Sequence, residues 1–128
     1  MSKPALGFSK NEKLKSRKSI ERLFVEGNSV SKYPIKLMYI AADPDQQAPI
    51  VAGVTVPKRN FKSAVKRNRI KRLLREGYRL NKALVFNNTE RRFAFLFLYL
   101  GKEEPTFERI SEAMKKVLTR FIDEAERR

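Results

Sequence analysis

The chain has no histidine and no cysteine in its 128 residues. Without histidine, the side chain that titrates near neutral pH is missing. Neither Ser-His-Asp nor Cys-His nucleophilic catalysis can be assembled. A zinc site rests almost always on Cys or His, so none is expected. There is no disulfide framework, which fits a reducing cytoplasm. Glycine is scarce: five residues, none grouped, and so no Gly-rich phosphate loop. Long apolar runs are also absent. The longest, Phe93 to Leu100, falls far short of a membrane span, and the start, Met1 to Phe8, does not read as a signal peptide. Acidic residues are few and show no paired-carboxylate arrangement. Glu103 and Glu104 read as a solvated pair in a turn rather than a metal site. The polypeptide alone is therefore a poor enzyme candidate, with no catalytic and no metal-ligating residue expected.

What is present is positive charge. Lys and Arg number 29 against 14 Asp and Glu, a formal +15. Such a balance implies a polyanionic partner: nucleic acid first, an anionic membrane surface as the alternative. The excess is concentrated. Residues 58–79 carry ten basic side chains against Glu76, a net +9 within 22 positions. Charge serving only solubility has no reason to collect there. Hydrophobic residues make up 41% of the chain, enough for a core, and the length suits a single domain over residues 1–128.

Residues 1–15 read as an irregular basic arm. Ser16 is placed to cap a helix from Arg17 to Glu26, with Ile20, Leu23 and Phe24 as its apolar stripe. Gly27 is expected to end it in the left-handed conformation. Ile35 to Ala42 reads as a strand, with Ile35, Leu37 and Tyr39 on one side and Lys36, Met38 and Ile40 on the other. A turn-rich loop, residues 43–49, leads to a second strand, Ile50 to Val56, expected to run antiparallel to the first. Val30 to Tyr33 is a possible extra strand. Lys58 to Lys62 is a basic loop, and Ser63 caps a helix from Ala64 to about Leu80. Ile70, Leu73, Leu74 and Gly77 share one face of that helix, with Tyr78 at its edge. Asn68, Arg72, Arg75 and Arg79 share the other, with Lys71 beside them and Arg67 and Arg69 on the shoulders. Phe93 to Leu100 reads as a central strand, apolar on both faces. Its row of Phe93, Phe95, Phe97 and Tyr99 suits an RNA-stacking platform or a core; the apolar opposite row argues for core. Thr106 caps a last helix with a stripe of Ile110, Met114, Val117, Leu118, Phe121 and Ile122. The fold class is α+β: a small sheet of three to four strands packed with three helices, in the order α-β-β-(β)-α-β-α.

The helix after residue 63 carries the functional signal. A cationic face neutralises phosphates and releases counterions. Arginine forks hold two phosphate oxygens each, and Asn68 can bond a base edge or a 2′-hydroxyl. An ordinary solvated face would interleave acids, and Glu76 is the only one here.

Gly53-Val-Thr-Val-Pro-Lys-Arg59, followed by Ala64-Val-Lys-Arg-Asn-Arg-Ile-Lys-Arg-Leu-Leu-Arg-Glu76, resembles the signature of the bacterial ribonuclease P protein family. Leu14 to Gly27 resembles that family's first helix. The resemblance covers nearly the whole chain and is weakest at residues 1–8, 43–49 and 81–91. It implies a βαβ unit with a left-handed crossover, where spacing alone predicts a right-handed one. The implied partners are the ribonuclease P RNA and precursor tRNA, with no membrane and no DNA, in the cytoplasm. The implied reaction is endonucleolytic removal of the 5′ leader. Its chemistry is carried by the RNA with magnesium in the holoenzyme, and no cofactor is bound by the protein alone. Two surfaces are implied. The RNA-subunit surface comprises Lys58, Arg59, Asn60 and Lys62 of the loop, with Lys66, Arg67, Asn68, Arg69, Lys71, Arg72 and Arg75 of the helix. The leader cleft comprises Ile20, Phe24, Lys36, Met38 and Ile40. The first cleft position is often aromatic in the family and is Ile20 here, which shifts the grip toward Phe24 and charge. From the residues alone, Phe24, Met38 and Ile40 suit a core equally well.

Two other readings compete. One is a structural, ribosomal-type RNA-binding protein with no catalytic partner. The other is a DNA-binding module, which lacks a preceding helix at helix-turn-helix spacing.

Overall fold

The structure, a computed structural model, describes residues 12–127. Its elements are α1 (Arg17–Glu26), β1 (Asn28–Lys32), β2 (Ile35–Ala41), β3 (Ile50–Thr55), α2 (Ala64–Asn81), α3 (Ala83–Phe86), β4 (Phe93–Tyr99) and α4 (Phe107–Arg127). This is the expected α+β order, with β1 as the extra strand and the single-turn α3 as an addition. Helix starts follow the expected chemistry. The side chains of Ser16, Ser63 and Thr106 accept from the N–H groups of Ser19, Lys66 and Arg109, each satisfying an orphan donor of a first turn. Gly27 departs from expectation, because its backbone is extended (φ −70°, ψ 155°) rather than left-handed. Space is what demands glycine there. A Cβ would stand 2.4 Å from the Leu23 carbonyl oxygen, which accepts the Gly27 N–H.

The four strands form one mixed sheet in the order β1-β2-β4-β3. β2 and β3 follow one another in sequence, yet β4 lies between them, antiparallel to β2 and parallel to β3. The 43–49 loop is wide enough to allow this and is pinned to the start of β4. Gln46 Nε2 donates to the Phe93 carbonyl, and the Phe93 N–H donates to Pro49. β3, α2 and β4 form a βαβ unit, and β4 takes the interior position its two apolar faces predict.

α2 and α4 close over one sheet face. Leu37, Tyr39, Phe93, Phe95, Phe97 and Tyr99 pack there against Ile70, Leu74 and Tyr78 of α2 and Ile110, Met114, Val117, Leu118 and Phe121 of α4. Phe121 sits edge-on to both Tyr39 and Phe95 at 4.8 Å between ring centres. The row from Phe93 to Tyr99 is core, and no stacking platform is open on it. Gly77 lets α2 and α4 approach, since a Cβ there would lie 3.1 Å from Ile110 Cγ2.

The opposite face is thinly covered. α1 lies across it through Leu23, which clusters with Met38 and Leu96, and Leu14 and Ala48 cover its other end against Val51 and Ala94. Lys36, Ile40, Thr55 and Leu98 stay partly exposed. The arm and the 81–91 segment, both weakly specified by sequence, meet in the structure. Lys82 is 1% exposed and donates to Glu12 at 2.7 Å. Leu14 N–H donates to the Ala52 carbonyl, so residues 12–14 run along β3. The rest of the expected arm, residues 1–11, lies outside the described residues.

Candidate nucleic-acid interface

α2 turns Ile70, Leu74, Gly77 and Tyr78 inward, as its periodicity predicts. Asn68, Arg72 and Arg75 are exposed on the other side, and Lys58, Arg59 and Lys62 are exposed on the preceding loop. Among the described residues, no carboxylate pairs with Lys58, Arg59, Lys62, Arg72 or Arg75. Asn60 and Lys71 are half-buried at the margin. The only acid of α2, Glu76, is bound by Arg79 at 2.5 Å, and that hydrogen bond holds its carboxyl below the usual carboxylate range. Its negative charge is thus offset within its own helix.

The other cations of the surface already have work within the fold. Arg67 Nη1 donates to the carbonyls of Phe61 (2.8 Å) and Lys62 (3.0 Å), clamping the basic loop onto α2. Phe61 is buried beside Tyr99, so the end of the loop that leads into α2 is held by both side chain and backbone. Arg69 binds Glu104 at 2.6 Å, with Lys66 at 3.7 Å from the same carboxylate. The Glu103–Glu104 turn is therefore more than a solvated pair. The sequence hides this partner because 35 residues separate it from Arg69.

The second group, Ile20, Phe24, Lys36, Met38 and Ile40, also meets at one place, the half-covered sheet face beside α1. Their roles in packing differ. Met38 is buried under Leu23, so it belongs to the small core there. Phe24 is 60% exposed and is not core. Ile20, Lys36 and Ile40 are intermediate. The expected stripe of Ile20, Leu23 and Phe24 is thus rotated: Ser19 and Leu23, four apart, face the sheet, and Ile20 and Phe24 flank them. Sequence reasoning missed what fastens α1. Asp43 accepts from both Arg22 and Ser19, tying the 43–49 loop to the helix. A lone acid in a loop gives no signal of such a partner.

Among the described residues, no group of three or more carboxylates is placed to hold a metal ion, and no helix is long and apolar enough to cross a membrane. The element preceding α2 is a strand, which disfavours a helix-turn-helix.

Comparison with known proteins gives one answer. The family model Ribonuclease P matches residues 8–122. A ribonuclease P protein component of Porphyromonas gingivalis is 38% identical over 123 residues, covering 94% of this chain and 90% of that one. One from Chlorobaculum tepidum is 32% identical over 125 residues, covering 88% and 81%. Among solved structures, the Staphylococcus aureus RNase P protein superposes with a TM-score of 0.69 at 20% identity, over 86% of this chain and 94% of that one. The Thermotoga maritima protein does so with 0.68 at 23%, over 85% and 96%. These two likenesses establish a shared fold. The family match and the curated relatives span nearly the full chain, which therefore belongs to the ribonuclease P protein family.

Proposed function

We propose that this chain grips the ribonuclease P RNA through α2 and its basic loop, and the 5′ leader of precursor tRNA through the cleft beside α1. It acts as a subunit of the ribonuclease P holoenzyme, in endonucleolytic maturation of the tRNA 5′ end. The observation that carries the first surface is the set of exposed cations, Lys58, Arg59, Lys62, Arg72 and Arg75, that no acid of the described fold neutralises. The reading assigns magnesium to the RNA, and cleavage by rigorously RNA-free protein would sink it. RNA recovered with the protein from its native cell distinguishes the alternative: ribosomal RNA without ribonuclease P RNA would point to a structural RNA-binding role. Replacing Arg72 and Arg75 together by Ala is expected to change stability by less than about 0.5 kcal/mol. The same variant should weaken assembly by about 1–3 kcal/mol for each strong contact. Unfolding of the variant with RNA binding intact would show the faces to be reversed.

For the cleft, the exposed ring of Phe24 supports stacking on an unpaired leader nucleotide, a contact worth about 1–3 kcal/mol. Phe24→Ala is expected to weaken precursor tRNA binding by roughly 5- to 150-fold. Mature tRNA binding, assembly and melting temperature should barely move. Equal loss for precursor and mature tRNA would remove the leader role.

A further inference from the structure

Four cations form a ridge along α2. Lys66, Arg69, Arg72 and Arg75 stand three residues apart, so their side chains follow one row on the helix surface. The whole row is charged, but only half of it is free. Arg72 and Arg75 have no carboxylate partner among the described residues. Lys66 and Arg69 share one, Glu104, at 3.7 and 2.6 Å.

Glu104 reaches α2 from the turn between β4 and α4, and that turn has little freedom. The Leu100 N–H donates to the Pro34 carbonyl at 2.7 Å, and the Tyr99 hydroxyl donates to the Glu103 carbonyl at 2.6 Å. Tyr99 packs so closely on Gly101 that a Cβ there would stand 2.4 Å from the hydroxyl oxygen. Pro105 fixes its own φ, and Thr106 caps α4 through the Arg109 N–H. The carboxylate is therefore held against the ridge rather than left to drift in solvent. Its side chain is 34% exposed, against 54% for Lys66 and 58% for Arg69. The two cations thus keep open sides to solvent while the acid holds them.

A carboxylate in that position neutralises half of the ridge and repels a phosphate that approaches there. A polyanion attracted by charge alone, in any register, finds two free cations on the ridge instead of four. RNA of matching shape fares differently. Once its phosphates engage Arg72, Arg75 and the basic loop, the next phosphate arrives at Lys66 and Arg69 at high effective concentration. It then displaces an exposed ion pair of small worth.

Resting on the α2 interface proposed above, we infer that Glu104 is a specificity determinant: it withholds Lys66 and Arg69 from RNA of the wrong shape and yields them to the RNA subunit. Discrimination comes from a charge set against the wrong partner, not from an added contact to the right one.

The test compares Glu104→Gln with wild type on the ribonuclease P RNA and on an unrelated structured RNA of matching length. The substitution keeps the side chain's shape on an exposed turn, so the melting temperature should barely change. The unrelated RNA should bind roughly 5- to 50-fold more tightly, with a log–log salt slope steeper by about 1–2, as two cations join the contact. The ribonuclease P RNA should tighten less than about fivefold with its slope unchanged, because it already engages both cations. Glu104→Ala, which offers no amide to a phosphate, should behave alike. Glu103→Gln removes the same charge one residue away, from a side chain with no ion pair among the described residues. It should move either affinity less than about twofold. Equal tightening of both RNAs, no change in either, weaker binding of both, or the same response from Glu103→Gln would each overturn the inference. Arg72→Ala/Arg75→Ala, run in parallel, keeps it apart from the interface reading. If that variant binds the ribonuclease P RNA as wild type does, the interface itself is wrong; if it weakens binding while Glu104→Gln tightens both RNAs alike, only the role of Glu104 falls.

Discussion

Raising salt from about 50 to 200 mM is expected to weaken binding to the RNA subunit by roughly three orders of magnitude or more, the response of an interface neutralising about 5–10 phosphates. The count follows from the surface. Lys58, Arg59, Lys62, Arg72 and Arg75 are exposed without a carboxylate partner among the described residues, which supplies the lower figure. Lys66 and Arg69 share Glu104, and Arg67 is hydrogen-bonded to the loop, so these three contribute only as far as RNA draws them from internal partners. Exposed ion pairs of that kind are worth about 0–1 kcal/mol, small enough for a phosphate to replace them. The measurement is the slope of log K against log salt by filter binding or calorimetry. A flat response would mean that the interface does not rest on phosphates, whatever its charge.

Lys82→Met is expected to destabilise the fold by about 3–5 kcal/mol, the cost of leaving one partner of a buried ion pair uncompensated. Lys82 lies under the surface with only 2% of its side chain exposed, and Glu12 is 15% exposed. The pair anchors the segment that runs along β3, and the charge of Glu12 adds to burial in pushing the Tyr78 hydroxyl well above its ordinary range. The melting temperature should fall by on the order of 10 °C. Adding Glu12→Gln to Lys82→Met should recover much of the loss, because the stranded charge is then gone. Additive losses in this cycle would show that the two side chains act independently.

These two expectations draw on different layers of the molecule. The cationic face was legible without a fold. Ile70, Leu74 and Gly77 recur at helical spacing, so the arginines between them have one direction left. The same holds for the three capping residues and the stripe from Ile110 to Phe121, where local geometry and burial agree. Phe24 was not legible. An apolar residue on a short amphipathic helix suits a buried or an exposed position equally, and one step of helical rotation decides between them; here Phe24 is exposed. That rotation is set by Leu23 entering the gap over Met38 and Leu96, and by Asp43 holding Arg22 and Ser19.

Sequence by itself determined the α+β order, the polyanion-binding character and the family, because periodicity, caps and charge density act over short stretches of chain. Tertiary structure alone decided that β4 separates β2 from β3, that Glu104 partners Arg69, and that Lys82 partners Glu12 across 70 residues. Contacts between distant residues depend on which surfaces the packed core brings together, and a carboxylate in a loop carries no local mark of the cation it will meet.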